Sequence, residues 1–385
     1  MTNFELSRNQ LKTIAKEVGI QVIGATDAEP FDDLMPFLQR YYEEGRASGF
    51  EYPVAAERID AKTLLSGAQS LISIAVSYIT QETRTVMRPK EPRGMVSVYS
   101  WGNDYHRILR DKLQHLAKKI EEKVKRPIQS VCAIDTSALV DRAVAARSGV
   151  GFIGKNCSLI TDEYGSWVFL GTLVTDVLIE KMHEDVTRWD DCADCTLCLT
   201  ACPTGALIKP FEIDATRCLS YVTQMKGIIP EEFRAPLGRR VWGCDTCQTV
   251  CPKNKGSLLA QEPDFSPDAE LCFPDLYHIL SLSNRAFMRQ FGHTSAAWRG
   301  ANVWRRNALI ALGNMRDRRA MPFAISLLDD ARPEIRASAA WVILQIDPDK
   351  GREAVRQAYE KEPDDAVRRD MQWACDESSA LRFRE

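Results

Sequence analysis

The chain has 385 residues, of which 45% are hydrophobic and 27% charged, and its net charge is −3 at pH 7. That length suits two or three domains, and the balance excludes a uniformly basic nucleic-acid binder while leaving room for a local basic patch. No apolar run approaches the ~20 residues of a membrane span, and the stretch from Met1 to Leu6 has neither a basic segment leading into an apolar core nor twin arginines, so the expected location is the cytoplasm, away from membranes.

The first ~175 residues alternate helical and strand patterns, as an α/β domain does. Leu11, Ile14, Ala15 and Val18 give residues 6–18 a helical period, and a short apolar strand follows the Gly19 break at 21–25. Residues 71–78 read as a buried strand. Ile108, Leu109, Leu113, Leu116 and Ile120 mark one face of a helix over 105–125, stopped by Pro127. The strand at 129–134 ends at Asp135, and strand C-termini in α/β sheets are where ligands usually bind. A helix over 139–147 leads to Gly149, Gly151 and Gly154, a literal G-x-G-x-x-G. A dinucleotide fingerprint follows a strand and opens a helix, whereas this one follows a helix and precedes a strand at 157–161. Its glycines are expected to let backbone approach another extended ligand closely. An apolar strand at 167–177 completes this region.

Residues 192–203 read CADCTLCLTACP, and 244–252 read CDTCQTVCP. The first matches the bacterial ferredoxin run, in which three thiolates hold one 4Fe-4S cluster and the fourth reaches the other cluster. The second lacks its first cysteine, which Cys218 supplies if 219–243 is an insertion. Cys192, Cys195, Cys198 and Cys251 are therefore assigned to one cluster, and Cys218, Cys244, Cys247 and Cys202 to the second. Tetrahedral zinc is the alternative, but it has no use for a third cysteine at the same spacing or for the closing Cys-Pro. The other four of the twelve cysteines, Cys132, Cys157, Cys272 and Cys375, read as buried small hydrophobes.

Beyond Pro263 and Pro267 the chain turns helical. WRRNALI at 304–310, IRASAAW at 335–341 and VRRDMQW at 367–373 recur at offsets of 31 and 32 residues, a HEAT-like repeat. Between Arg285 and Arg319 eight arginines face one acid, with His293, Trp298 and Trp304 interleaved. Guanidinium groups beside aromatic rings suit phosphates and unstacked bases.

Clusters deliver electrons singly and seldom transform a substrate themselves, so a second redox centre is expected in the α/β domain. No heme-attachment motif is present. A cobalt corrin fits, without the Asp-x-His-x-x-Gly loop that supplies histidine to cobalt, because Leu109 stands where glycine is needed after Asp104-Tyr105-His106.

Together, YSWGNDYH at 99–106, GVGFIGKN at 149–156, the split cysteine run and the repeat resemble the epoxyqueuosine reductases across nearly the whole chain. Phe152 and Trp101 depart from the common pattern and concern pocket shape. The resemblance implies three domains: an α/β cobalamin-binding catalytic domain at 1–175, a ferredoxin-like domain with two 4Fe-4S clusters at 176–270 and a HEAT-like, transfer-RNA-binding domain at 271–385. It implies a monomeric oxidoreductase, fed by an external low-potential electron donor, that removes the epoxide oxygen from epoxyqueuosine at the wobble position in the anticodon loop. Asp135 becomes the proton donor if burial raises its pKa, the alternative being a helix cap. The corrin, base-off and with no histidine on cobalt, would contact Asp135 and be held by Arg58, Asn156, Ser158, Ser220 and Asp245. Arg58 pairing with a neighbouring acid and Ser220 capping a helix are the plain alternatives. Asp104, Tyr105 and His106 would wall the substrate pocket, or else serve as a cap followed by a core tyrosine. Arg299, Arg305, Arg306, Arg316 and Arg318 would hold phosphates. A reductive dehalogenase acting on a small molecule and a non-catalytic electron carrier on a scaffold are the competing functions.

Overall fold

The computed structural model describes residues 4–87, 89, 93–182 and 192–375. Their contacts form two compact units, one of 1–85, 102–218 and 245–266, the other of 86–101, 219–244 and 267–385.

The first unit is built on a four-stranded sheet. Strands β1 (Val22–Asp27), β2 (Ser70–Ser77), β3 (Ser130–Ala133) and β4 (Val168–Thr175) lie in the order β1-β2-β4-β3, and every neighbouring pair is antiparallel. Both faces of β2 are buried along its whole length, as its unbroken small and apolar sequence requires. Glycines show what covers each face. A side chain at Gly24 would strike the Ser148 carbonyl at 2.1 Å, and one at Gly171 would meet Leu113 and Leu109 at 3.2 and 3.3 Å. Gly24 pairs with Ser73 and Gly171 with Ile74, so the two glycines face opposite ways. Helix α1 (Tyr105–Val124) therefore covers one face with Leu109 and Leu113, and the end of helix α2 (Asp141–Arg147) covers the other. The expected rule for strand C-termini belongs to parallel sheets, and this sheet is antiparallel, so Asp135 sits at the end of an edge strand instead.

The G-x-G-x-x-G segment also serves the fold. It forms a hairpin of Phe152–Ile153 against Leu159–Ile160, and a Cβ at Gly151 would lie 2.3 Å from the Ile160 carbonyl. The close approach expected with a ligand is thus made with the hairpin's own partner strand.

In the second unit helix α3 (Ala301–Asn314) packs on helix α4 (Pro333–Ile346), which packs on Asp365–Cys375. These are the three repeat copies in register. Helices α3 and α4 are buried nearly all round because each has neighbours on several sides. Of the four remaining cysteines, Cys157 and Cys272 are buried and Cys132 is half-buried, while the side chain of Cys375 lies outside the described residues.

Candidate active site and cluster cradle

Asp135 follows β3 by two residues and adopts φ +53°, an unusual conformation for a side-chain-bearing residue. The Thr136 N–H donates back to the Ile134 carbonyl, closing a three-residue turn around it. Non-glycine residues held this way cost of order 1–3 kcal/mol and persist where surrounding structure fixes them. Helix α2 does not begin until Asp141, with no side-chain cap, so the cap reading of Asp135 is overturned.

Two residues of α1 converge on this turn. Tyr105 Oη donates to Asp135 Oδ2 at 2.7 Å, and His106 Nε2 lies 3.6 Å from the same oxygen, an ion-pair distance rather than a hydrogen bond. Asp104 caps the helix by accepting the His106 N–H at 3.1 Å and binds His106 Nδ1 at 2.7 Å. Asp104 is thus the helix cap of the alternative reading, and Tyr105 lines the cleft at Asp135. The Tyr105 ring stacks between His106 and Phe169, with centroid distances of 4.1 and 4.2 Å.

The electrostatics differ from the expectation for Asp135. The His106 contact, opposed by burial and reinforced by Tyr105, holds the Asp135 carboxyl below the usual carboxylate range, so it is ionised at neutral pH. Its side chain is 63% exposed at the mouth of the cleft, and the burial expected to raise its pKa is outweighed by His106 and Tyr105. The proton sits on its neighbours. Burial disfavours a charged His106, but Asp104 and Asp135 outweigh that and push its pKa up to about 9. Burial, then the nearby Asp135 charge, pushes Asp141 up to about 7.

Asp135, Tyr105, Asp141, Arg142 and Arg58 line an open cleft with about 760 Å³ of empty space. Arg58, Val140 and Arg142 also line a second, largely apolar space of about 800 Å³ that reaches Cys157 and Phe211. Polar atoms without hydrogen-bond partners gather around these spaces: Arg58 Nε, Ser137 Oγ and Asp141 Oδ1 are all sealed from solvent. Arg58 makes one bond, from Nη1 to Tyr42 Oη at 3.2 Å. Unsatisfied groups at such density are what a polar-edged ligand would pair.

Cys192, Cys195, Cys198 and Cys251 line one small space of about 390 Å³, with Lys155 and Asn156 in its wall. These are the four cysteines assigned to one cluster from spacing. Asn156 is buried with its Nδ2 unpaired, while its Oδ1 accepts the Ser158 N–H at 3.2 Å. Asp245 precedes the short helix Thr246–Thr249 that carries Cys247. In the second unit Ser220 lies within Leu219–Val222, its carbonyl accepting from Thr223 Oγ1 and Gln224 Nε2, so it is inside the helix rather than capping it.

Two expected phosphate contacts are corrected. Arg306 is 0% exposed and Arg305 8%. Arg306 Nη1 donates to the carbonyls of Met225 and Gly227, each at 2.7 Å, and its Nη2 to the Val222 carbonyl at 3.3 Å. Asn307 Nδ2 donates to the Thr223 and Val241 carbonyls, also at 2.7 Å. This pair clamps the insertion between Cys218 and Cys244. Arg305 bonds Asn284, Asn302 and the Leu282 carbonyl. Arg316 and Arg318 are exposed, and Arg299 lies 3.8 Å over the ring of Trp298. Asp141 and Arg142 escaped sequence reasoning; their only signal was an acid-base pair opening a helix that has no cap.

Residues 58–136 match the family described as Epoxyqueuosine reductase QueG, DUF1730, residues 191–254 a 4Fe-4S double cluster binding domain, and residues 301–375 HEAT repeats. The chain is 41% identical to an epoxyqueuosine reductase of Bacillus anthracis over 96% of this chain and 97% of that one, and 32% identical to its Escherichia coli counterpart over 87% and 88%. A crystal structure of an epoxyqueuosine reductase with an epoxyqueuosine-modified tRNA-Tyr stem loop superposes with TM-score 0.89 at 42% identity, covering 96% of this chain and 97% of that one. A Bacillus subtilis epoxyqueuosine reductase, captured with an aspartate-bearing catalytic loop swung out of its active site, superposes with TM-score 0.89 at 41% identity, covering 96% and 98%. By sequence and by fold alike, the chain belongs to the epoxyqueuosine reductases, a family of oxidoreductases with two 4Fe-4S clusters and a HEAT-repeat tail.

Proposed function

We propose that this protein reduces epoxyqueuosine to queuosine at the wobble position of transfer RNA, with Asp135 delivering a proton to the departing oxygen. The observation that carries the reading is the turn at Asp135, which projects a carboxylate into a cleft beside a protonated histidine. Converting an epoxide to an alkene and water takes two electrons and two protons. Asp135 is ionised at rest, so it acts as a relay: His106 holds a proton 3.6 Å away and passes it through the Asp135 carboxylate to the oxygen. Tyr105 keeps the carboxylate in place through its 2.7 Å bond. A relative's aspartate loop swinging out of its active site fits a turn that is strained and exposed here.

Electrons enter from an external low-potential donor through the cluster bound by Cys192, Cys195, Cys198 and Cys251 and that bound by Cys218, Cys244, Cys247 and Cys202. Cobalamin suits the paired spaces beside Asp135, whose sealed, unpaired Arg58 and Asp141 atoms need a polar-edged ligand. Arg58, Asn156, Ser158 and Asp245 would hold it. When bound, it supplies low-potential cobalt that takes electrons singly and delivers a pair to a strained carbon–oxygen bond. Held protonated by Asp104 and Asp135, His106 has no lone pair to offer a metal, which supports a cobalamin that would be base-off with no histidine on its cobalt.

Arg299, Arg316 and Arg318 would contact the phosphates of the stem, and an anticodon-loop base can be turned out at modest cost. The working regions are 1–175 for catalysis, 176–270 for electron transfer and 271–385 for RNA binding, in a cytoplasmic monomer; among the described residues no helix is long and apolar enough to cross a membrane. The test is anaerobic purification with cobalamin supplied, metal analysis, then chemical reduction and incubation with an epoxyqueuosine-modified stem loop. Iron and cobalt in a ratio of about 8:1 with queuosine formed is expected for two four-iron clusters. Iron without stoichiometric cobalt, or an unreduced epoxide, would contradict the proposal.

A further inference from the structure

We propose that Trp298 is a stacking platform for an unpaired nucleobase of the anticodon loop, held ready at the corner that leads into helix α3 and backed by the guanidinium of Arg299. The inference rests on the reading of transfer RNA as the substrate.

Large aromatic rings in the second unit are put away: Trp242 is 1% exposed, Trp304 0% and Trp341 4%. Trp298 is 55% exposed, and no other described Phe, Tyr or Trp side chain of that unit is as open. Exposure here is not looseness. The indole N–H donates to Gln224 Oε1 at 3.0 Å, and the Gln224 amide nitrogen donates to the Ser220 carbonyl at 2.9 Å and to Tyr99 Oη at 3.3 Å. The backbone on either side is fixed as well. Thr294 Oγ1 accepts the Ala296 N–H at 3.3 Å, the Ala296 carbonyl accepts from the buried Trp304 indole at 2.9 Å, and the Gly300 N–H closes on the Ala297 carbonyl at 2.9 Å. Gly300 then enters α3 at φ +79°, where a side chain would be strained.

The Arg299 guanidinium carbon lies 3.8 Å from the centre of the Trp298 ring, a stacking distance. A ring so covered and still more than half exposed offers flat apolar surface to a ligand. Being fixed beforehand, it gives up little side-chain entropy on binding. A nucleobase of any identity can stack on such a ring, and a cation beside the ring suits the phosphates tethered to that base. The flanking segment 284–293 matches this chemistry: it exposes Arg285, Arg289 and His293, with Met288 as its one large exposed apolar side chain. A protein partner would want a broader apolar patch than a single ring and a methionine.

The test compares holoprotein variants for binding to an epoxyqueuosine-modified stem loop and to a duplex of the same stem with no unpaired bases. Trp298→Ala is expected to weaken stem-loop binding by about 10- to 100-fold, the contribution of one stacked base, and to leave duplex binding as it was. The slope of log affinity against log salt should not change, because no phosphate contact goes with the ring. Trp298→Phe keeps a flat face and should recover most of the loss. A fluorescent purine analogue placed at one loop position at a time should find a position where emission is quenched on binding wild type and not on binding Trp298→Ala. Wild-type stem-loop affinity in Trp298→Ala would overturn the inference and leave the ring to a protein partner. So would an equal loss for the duplex, a slope reduced by about 0.7–0.9 as for a lost phosphate contact, the absence of any quenched position, or a failure of Trp298→Phe to improve on alanine. Queuosine formation by the reduced wild type separates the two ideas: if the epoxide is reduced and Trp298→Ala binds normally, only the platform fails; if it is not reduced, the proposed reaction fails while the binding comparison still decides the role of Trp298.

Discussion

Replacing Arg306 with methionine keeps the length of the side chain and removes its charge and donors. The wild-type guanidinium makes three bonds to backbone carbonyls, of Met225, Gly227 and Val222, and two more to Asn307 Oδ1 at 3.0 and 3.1 Å. Bonds from a charged donor contribute about 1.5–3 kcal/mol each, and every carbonyl left unpaired costs about 1–3 kcal/mol. Against this, methionine spares the burial of a charge that already depresses the Arg306 pKa to about 9. With three backbone carbonyls left unpaired and the cost of burying a charge spared, the net loss is on the order of 3 kcal/mol. That is a large part of an ordinary domain's stability of about 5–15 kcal/mol. The clamped segment has Cys218 and Cys244 at its ends, so its loosening should also release the second cluster. Urea titration of the holoprotein should give a clearly lower midpoint, and iron should fall from about eight to about four per chain. A variant of unchanged stability and iron content that has lost RNA affinity and part of its salt dependence would refute the clamp and return Arg306 to the RNA surface.

His106→Gln should slow turnover most below pH 9 and flatten the alkaline decline of the wild type, which a pH–rate profile checks. The sign follows from a folded pKa raised from 6.5 to about 9: the stabilisation by protonated His106 is complete below about 6.5 and lost as pH rises through 9, so thermal melts of wild type and variant should converge at high pH. Affinity for the stem loop should fall with salt, and Arg316→Ala and Arg318→Ala should each reduce the logarithmic slope by about 0.7–0.9; unchanged slopes would remove those arginines from the contact. Cys251→Ser should lose the cluster shared with Cys192, Cys195 and Cys198, halving iron, with the rest of the fold intact by circular dichroism.

Spacing carried the reading of the cysteines, because thiolate ligands are written into the chain at intervals that clusters require; Cys192, Cys195, Cys198 and Cys251 do line one space. Periodicity carried the long elements too, with Tyr105–Val124 close to the expected 105–125. The repeat was legible as sequence, but the direction of its arginines was not. Arg305 and Arg306 look like Arg316 and Arg318 in a string of letters, and only helix packing decides that the first two turn inward to unpaired carbonyls. The protonation pattern was hidden for a related reason. Asp135 was legible as the residue after a strand, but its low pKa comes from α1, whose His106 is far away in the chain. The Asp141 carboxyl is pushed up to about 7 by burial that no local motif records. The glycines at 149–154 suggested a ligand because a hairpin and a cofactor ask the same thing of a backbone, which is room to approach.

The most direct test of the account is the single-turnover conversion of an epoxyqueuosine-modified stem loop by chemically reduced Asp135→Asn holoenzyme, compared with wild type at equal iron and cobalt content. The account predicts intact clusters, bound cobalamin, unchanged RNA affinity and a rate lower by about 100-fold or more, the usual contribution of a positioned acid. A wild-type rate in that variant would contradict it.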